Sequence, residues 1–369
     1  MRVLHVLAEP GWSGGEEQLR ILVEHLARRG HENVLLLMPQ AKFRSVGERL
    51  GLQVHTAQLR RWFDPRVGPG IRGIVRGVNP DVLHFGCGRS LLWVGLATRR
   101  IAVPLKITTR RIDYPIGRWP WRAFRYRSLV DHVVANCEAV RQRVLGAGVA
   151  PDKVTVVHEG IELAPWQGLL ERRTPARRTL AIADDALVLC CPATLRPRKG
   201  QRALIRAFAG VARRFPTALL VLAGEGSDLE SLRRLVAELG LTGRVHIPGA
   251  VRPVADLYAA SDVFCLASTH EGLANACLEA SAAGLPCVVT AAGGLPEIVV
   301  DGTTGCVVPI GDEAALALAL EALLASPELR ARFGTAGALR TAERFSAARS
   351  AEGMEALLLA LLARSVLGR

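Results

Sequence analysis

Thr269-His270-Glu271-Gly272-Leu273-Ala274-Asn275-Ala276-Cys277-Leu278-Glu279-Ala280 joins a strand pattern to a helix pattern. The apolar run before it, Val263-Phe264-Cys265-Leu266-Ala267, reads as a buried strand, and a helix is expected from it to about Ala283. That helix is nearly all small or apolar, so it is expected to be covered on most sides. Its one carboxylate, Glu279, has no basic residue a turn away in sequence, and a buried lone charge is costly. Glu279 is therefore expected to face a cleft that holds a ligand with hydroxyl groups. Glu271, in the strand-to-helix loop, points to the same cleft. The first helical turn, expected around Leu273 to Asn275, presents free backbone N–H groups and the positive end of the helix dipole to a phosphate. Two carboxylates flanking such a turn suit a diphosphate with a polyol at each end. The same spacing also suits a capped helix whose glutamates form surface ion pairs, and spacing alone leaves both readings open.

The rest of the chain supplies the setting. With 369 residues, 50% hydrophobic and 22% charged, it can bury the cores of two domains. No apolar run reaches the length of a membrane span, and the N-terminal apolar run is too short for a signal peptide. The eight cysteines lack metal-type spacing and sit mostly in apolar runs, as expected of reduced core residues in a cytoplasmic protein. No Asp-x-Asp pair lies near the carboxylates, so nothing calls for a metal. Residues 1–170 carry 25 Lys and Arg against 14 Asp and Glu, whereas the remainder carries 22 against 20. An anionic partner for the first half, or the arginine-rich composition of a high-GC genome, accounts for that excess.

Both halves alternate apolar strand patterns with amphipathic helices, which predicts parallel sheets covered on both faces. Strands are expected at Val3–Leu7, Val34–Met38, Val82–Phe85, Val103–Ile107, His132–Ala135 and Val154–Val157, then from Leu187–Cys191 onward. Residues 163–178, with two prolines and a charge cluster, read as a linker. After the first strand, Gly11-Trp12-Ser13-Gly14-Gly15-Glu16 leads into a helix expected over Glu16–Arg29. Its glycines permit close approach of backbone to ligand, or simply form a tight capped turn. From Arg99 to Arg127, arginines alternate with Tyr114, Trp119, Trp121, Phe124 and Tyr126. That mixture suits an interfacial surface or a phosphate-bearing acceptor, and equally a basic helix with core aromatics. The run Pro192 to Gly200, carrying Arg196, Arg198 and Lys199, ends the first strand of the second half, where anions bind.

Glu271 and Glu279, seven residues between them, in His-Glu-Gly-Leu-Ala-Asn-Ala-Cys-Leu-Glu-Ala, resemble the donor-site motif of family 4 glycosyltransferases, retaining enzymes of the GT-B fold. The resemblance implies two doubly wound parallel-sheet α/β domains facing a central cleft. These are expected at 1–165 (acceptor side) and 166–343 (donor side), with 344–369 a helix packing back on the first. It implies a nucleotide diphosphate sugar as co-substrate, no cofactor and no metal. Lys199-Gly200 matches the family's diphosphate lysine. The family's arginine five residues earlier is Thr194 here, so Arg196 is expected in its place. Glu271, Lys199 and Arg196 form the implied catalytic group. Gly14, Gly15, Gly224, Val251, Gly272, Leu273, Ala274, Asn275 and Glu279 are the implied donor contacts, with Glu279 on the ribose. Where many members carry a histidine that contacts the transferred sugar, this sequence has Thr108-Thr109-Arg110-Arg111, which puts Arg110 and Arg111 on the acceptor side. The acceptor is expected to be a sugar or a lipid-linked sugar of cell-envelope polysaccharide or lipopolysaccharide synthesis. An anionic membrane surface is a further expected partner, giving peripheral attachment on the inner face of the cell membrane; nucleic acid is not expected. The rival readings are a GT-B sugar-nucleotide epimerase and a non-catalytic protein that binds anionic membrane or nucleic acid.

Overall fold

A computed structural model describes residues 1–59, 67–117 and 120–367. Arg118 and Trp119 of the basic, aromatic stretch lie outside the described residues, as does the side chain of Trp121. The chain divides into two compact units, 1–160 with 347–369, and 161–346.

In the first unit the strands are β1 (Arg2–Leu7), β2 (Glu32–Leu37), β3 (Gln53–Thr56), β4 (Val82–Phe85), β5 (Leu105–Arg110), β6 (His132–Ala135) and β7 (Val154–Val156). All pair in parallel, in the order β3-β2-β1-β4-β5-β6-β7. The helices α1 (Gly14–Arg28), α2 (Arg44–Arg49), α3 (Val67–Val78), α4 (Gly88–Ala97), α5 (Pro120–Ser128) and α6 (Glu138–Leu145) carry the crossovers. Strands buried along their length, such as Val82–Phe85, are what a sheet covered on both faces requires. β5 begins two residues later than its apolar pattern suggests, because Pro104 has no N–H for the ladder. It also runs on to Arg110, so Thr108, Thr109 and Arg110 are buried strand residues. The polar edge strand β3 had no clear signature in sequence.

The second unit opens with α7 (Arg173–Thr179). It continues through β8 (Leu187–Cys190), α8 (Gln201–Arg214), β9 (Ala218–Ala223), α9 (Leu229–Glu238), β10 (Val245–Gly249), α10 (Val254–Ala260), β11 (Val263–Leu266), α11 (Asn275–Ala282), β12 (Cys287–Thr290), α12 (Leu295–Ile298), β13 (Gly305–Val308), α13 (Glu313–Ala325) and α14 (Pro327–Arg344). Its parallel strands order as β10-β9-β8-β11-β12-β13. Residues 163–178 are no free linker but part of this unit. Arg177, 2% exposed, donates to the carbonyls of Ala260 (3.1 Å), Ala183 (3.0 Å), Asp184 (2.6 Å) and Ala186 (2.8 Å), and pairs with Asp262 at 3.1 Å. Burying a guanidinium requires that many acceptors, and they pin α7 to the end of α10 and the start of β11.

The helix α15 (Ala347–Leu367) returns to the first unit. Its Met354 and Leu358 join a core with Val3, Leu22, Leu26, Val82, Leu105, Ile107 and Val134. Beside that core Glu355 accepts from His25 Nε2 (2.9 Å), His31 Nε2 (2.7 Å) and Arg29 Nε (3.4 Å). Burial alone would raise its pKa, but these bonds outweigh it and hold the carboxyl at about 2. No helix of the described residues is long and apolar enough to cross a membrane. The eight cysteines are free thiols, six of them buried.

A polar chain crosses the first sheet. Asn33 Nδ2 donates to the carbonyl of His31 (3.1 Å), which leaves Asn33 Oδ1 to accept from His5 Nε2 (3.0 Å). His5 Nδ1 then accepts from His84 Nδ1 (3.0 Å), and His84 Nε2 accepts from the Thr109 hydroxyl (2.9 Å). The three bonds made by the rings together require both imidazoles to be neutral. Burial lowers the pKa of His5 to about 4, against a smaller raising effect of the Asn33 bond, and pushes His84 well down. Burial also lowers His132 to about 4. An unfolded histidine titrates near ~6.5. The unfolded chain therefore takes up these protons first, and the stability from the neutral rings, complete above that pH, is lost as pH falls toward about 4. Urea denaturation of the full chain should show stability falling between pH 7 and pH 4.5, by on the order of 2 kcal/mol for His5 alone. The fall should be shallower in His132→Gln; an unchanged slope would remove His132 from the acid response.

Candidate active site

β8 and β11 are neighbours, and the chain leaves them in opposite directions along the sheet: β9 and β10 lie beyond β8, and β12 and β13 beyond β11. Loops at the carboxyl ends of two such strands border a crevice, the usual ligand site of an open α/β sheet. The crevice is closed at its floor by backbone contact. Gly200 has φ 69°, and a Cβ there would lie 1.8 Å from the Ala267 carbonyl oxygen, so no other residue fits. Thr269 N–H donates to the Arg198 carbonyl at 2.8 Å. On the far side Gly293 (φ 52°) would put a Cβ 1.9 Å from the Glu271 carbonyl oxygen, and Gly294 N–H donates to the Gly272 carbonyl at 3.0 Å.

This packing brings Lys199 Nζ to 2.5 Å from Glu271 Oε1, which also accepts from the Ser268 hydroxyl at 2.7 Å. Arg198 Nη1 lies 3.6 Å from Glu271 Oε2 and donates to the His270 carbonyl at 3.3 Å. Glu271 is 5% exposed. Two cations thus share one carboxylate, and a unit of positive charge is left over at the crevice. Below them Cys191 remains a thiol, because burial pushes its pKa up to about 12, Lys199 opposing and Glu271 adding to the effect. Arg196 is exposed and, among the described residues, forms no ion pair. Arg198, which the sequence showed only as part of a basic run, stands beside Glu271 instead.

The helix α11 starts at Asn275, so Leu273 and Ala274 precede it rather than forming its first turn. Ala274 is extended, and its carbonyl accepts from Cys277 N–H (2.9 Å); no side chain caps the helix. Its first amides and its dipole therefore point into the same crevice. One turn on, the half-buried Glu279 accepts from the Tyr258 hydroxyl at 2.9 Å. Along the same sheet edge, Gly224 follows β9, with its N–H on the Gly249 carbonyl (2.8 Å), and the half-buried Val251 follows β10. Gly272 is buried between Glu271 and Leu273. The expected donor residues of the second unit thus fall along one edge, from Val251 through Gly224 and Lys199 to Glu271 and Glu279.

In the first unit Gly14 and Gly15 form the first turn of α1, after β1. A Cβ at Gly15 would meet Arg111 Cδ at an ordinary 3.6 Å, so space alone does not demand glycine there. Glu16, buried, accepts from the Ser13 hydroxyl (2.5 Å), whereas Glu17 pairs along the helix with Arg20 (2.5 Å). Arg110 is turned inward: it donates to the Tyr126 hydroxyl (2.9 Å) and the Tyr114 carbonyl, and lies over the Tyr126 ring at 5.4 Å. Arg111 pairs with Glu159 and donates to the Gly86 carbonyl at 2.9 Å. Both therefore have partners inside the unit. Among the described residues no group of three or more His, Cys, Asp or Glu side chains is placed to hold a metal ion.

Comparison with known proteins fits this arrangement. The model of the family described as Glycosyltransferase Family 4 matches residues 12–164, and that of Glycosyl transferases group 1 matches residues 172–340. A GDP-mannose-dependent alpha-(1-6)-phosphatidylinositol monomannoside mannosyltransferase of Mycolicibacterium smegmatis is 38% identical over 290 residues, 74% of this chain and 75% of the relative. The chain belongs to the family 4 glycosyltransferases. This glycosyltransferase is also 29% identical to the lipopolysaccharide core biosynthesis glycosyltransferase LpsE of Rhizobium meliloti, over 89% of this chain and 90% of that one. Among solved structures it resembles Anabaena HepE in complex with UDP (TM-score 0.85, 19% identity, 98% of this chain and 100% of that chain). It also resembles sucrose-phosphate synthase of Thermosynechococcus elongatus (TM-score 0.83, 21% identity, 98% and 99%). The fold is GT-B.

Because Gly200 is set against a backbone oxygen, Gly200→Ala should destabilise the glycosyltransferase by roughly 1–3 kcal/mol or more. Gly210, in α8 with nothing within 4 Å of a Cβ, should gain about 0.5–1 kcal/mol as Gly210→Ala. Thermal denaturation of the two variants tests the contrast, and equal melting temperatures would show that the loop relaxes.

Proposed function

We propose that this glycosyltransferase moves a hexose from a nucleoside diphosphate sugar to a hydroxyl of a cell-envelope glycolipid or polysaccharide, with retention of anomeric configuration. The observation that carries the reading is the pairing of Lys199 and Arg198 on one buried Glu271, beside the uncapped start of α11. A diphosphate supplies the negative charge this crevice lacks. On its arrival Lys199 and Arg198 turn to the phosphates, with Arg196 at the exposed rim, and the freed Glu271 carboxylate accepts from sugar hydroxyls. Glu279 accepts from the ribose. Gly224, Gly272, Leu273, Ala274, Asn275 and Val251 offer backbone groups, and Gly14 and Gly15 are assigned to the donor phosphates.

The electrostatic task is to stabilise charge on the departing diphosphate as the C1–O bond breaks and an oxocarbenium-like sugar forms. The acceptor oxygen bonds C1 on the same face, and its proton passes to the departing phosphate oxygen. No protein nucleophile is assigned, and no divalent metal is assigned either. The mannosyltransferase relative makes GDP-mannose the first donor to try, and the phosphatidylinositol monomannoside of its name, an anionic glycolipid, agrees with the basic first half. An anionic membrane surface is assigned to the same half, with salt-sensitive liposome binding as its test.

The site is tested by thermal shift with GDP, UDP and ADP and their sugars in the presence of EDTA. One nucleotide at a hundredfold over its dissociation constant should stabilise by about 2.7 kcal/mol. Lys199→Ala and Glu279→Ala should abolish the shift at that concentration without unfolding the chain. Glu271→Ala should lower kcat by on the order of 10²–10³. Absence of a shift with every nucleotide would overturn the donor site, and an inverted anomer in the product would overturn retention.

A further inference from the structure

Tyr258 is the last-but-two residue of α10, it is fully buried, and nothing so far gives it a task. Its ring is wedged between Trp166, edge-on at 5.7 Å, and Phe264, tilted at 6.5 Å. Trp166 lies in the 3-10 turn Ala164–Trp166, and Phe264 lies in β11, so the ring is held from two elements. The hydroxyl is the only polar atom of that side chain. It lies 2.9 Å from Glu279 Oε2 and 3.1 Å from the Ala276 carbonyl oxygen, both on α11. A phenol has one proton, and the closer, charged acceptor takes it; hydrogen bonds to an ionised acceptor are about twice as strong as neutral ones. Burial, with the Glu279 charge, holds the phenol well above its ordinary pKa, so it acts as a donor throughout the working pH range.

Tyr258 holds Glu279 through one oxygen, Oε2, from a ring that is itself fixed by two elements. Fixing one oxygen sets the direction of the other. We propose that Tyr258 is a positioning residue of the donor site: it orients the Glu279 carboxylate for the vicinal hydroxyls of a ribose. This rests on the nucleotide-sugar reading above. It also gives α10 a part in selectivity: ribonucleotides are distinguished from their deoxy analogues through a phenol that touches neither.

The test compares the affinities of GDP, UDP and ADP with those of their 2′,3′-dideoxy analogues by titration calorimetry, on the full chain. In the natural protein the analogue of the nucleotide that binds should be at least tenfold weaker. Tyr258→Phe should weaken the ribonucleotide about tenfold and leave the dideoxy analogue within twofold, so that discrimination collapses; Glu279→Gln should do the same. A merely structural role would weaken both ligands alike, and that outcome, or undiminished discrimination in Tyr258→Phe, overturns the proposal. If no nucleotide binds the natural protein, it is the donor-site reading that fails. Should Tyr258→Phe not fold, the natural protein labelled with 3-fluorotyrosine makes the comparison, since the chain has three tyrosines. Assigned by Tyr114→Phe and Tyr126→Phe, the Tyr258 fluorine resonance should move with the ribonucleotide and much less with its dideoxy analogue. Equal movement with both would count against Tyr258.

Discussion

Lys199 and Glu271 are 72 residues apart in sequence and share a 2.5 Å hydrogen bond. They do so because β8 and β11 are adjacent strands whose following loops touch without a side chain between them. The contact of Gly200 with the Ala267 carbonyl is the constraint on which the crevice depends. It sets the separation of the two loops, and with it the separation of the cations from the carboxylate. Gly293 does the same on the other side of Glu271. The charged groups are thus held by backbone geometry, which changes little with ionic conditions, whereas a pair set only by mutual attraction would be screened and mobile.

The first unit repeats the strand order of the second and adds one further strand, β7, but uses its polar residues differently. Arg110 and Arg111 satisfy Tyr126, Tyr114, Glu159 and Gly86, and the two buried histidines complete a chain from Asn33 to Thr109. A buried guanidinium or imidazole must find partners wherever it is, and here those partners are internal.

Much of this was legible in the sequence where period and composition act locally. The alternation of strand and helix, the strand before Ser268 and the two glutamates around α11 follow from burial and spacing. What depended on distant partners was harder to see. Pro104 delayed the start of β5, and pairing with β6 carried the strand past its apolar run as far as Arg110, which is therefore buried. The prolines of 163–178 suggested a linker. Pro165 in fact starts a 3-10 turn, and Pro175 sits in the first turn of α7, where a missing N–H costs nothing. Arg173 and Arg177 there donate to the carbonyls of Ser261 and Ala260 and pair with Asp262, all more than 80 residues away in sequence. Tyr258 had no sequence signal at all, since its partner Glu279 lies on another helix.

The return of α15 to the first unit has a consequence for synthesis. The core around Val3, Val82 and Leu105 lacks Met354 and Leu358 until those residues have left the ribosome. The second unit is one continuous segment, 161–346, and emerges complete before α15 does. Although domains commonly fold in the order in which they are made, here the unit begun first is finished last. During that interval the residues that α15 later covers stay exposed, and transiently exposed apolar surface of this kind is prone to aggregation.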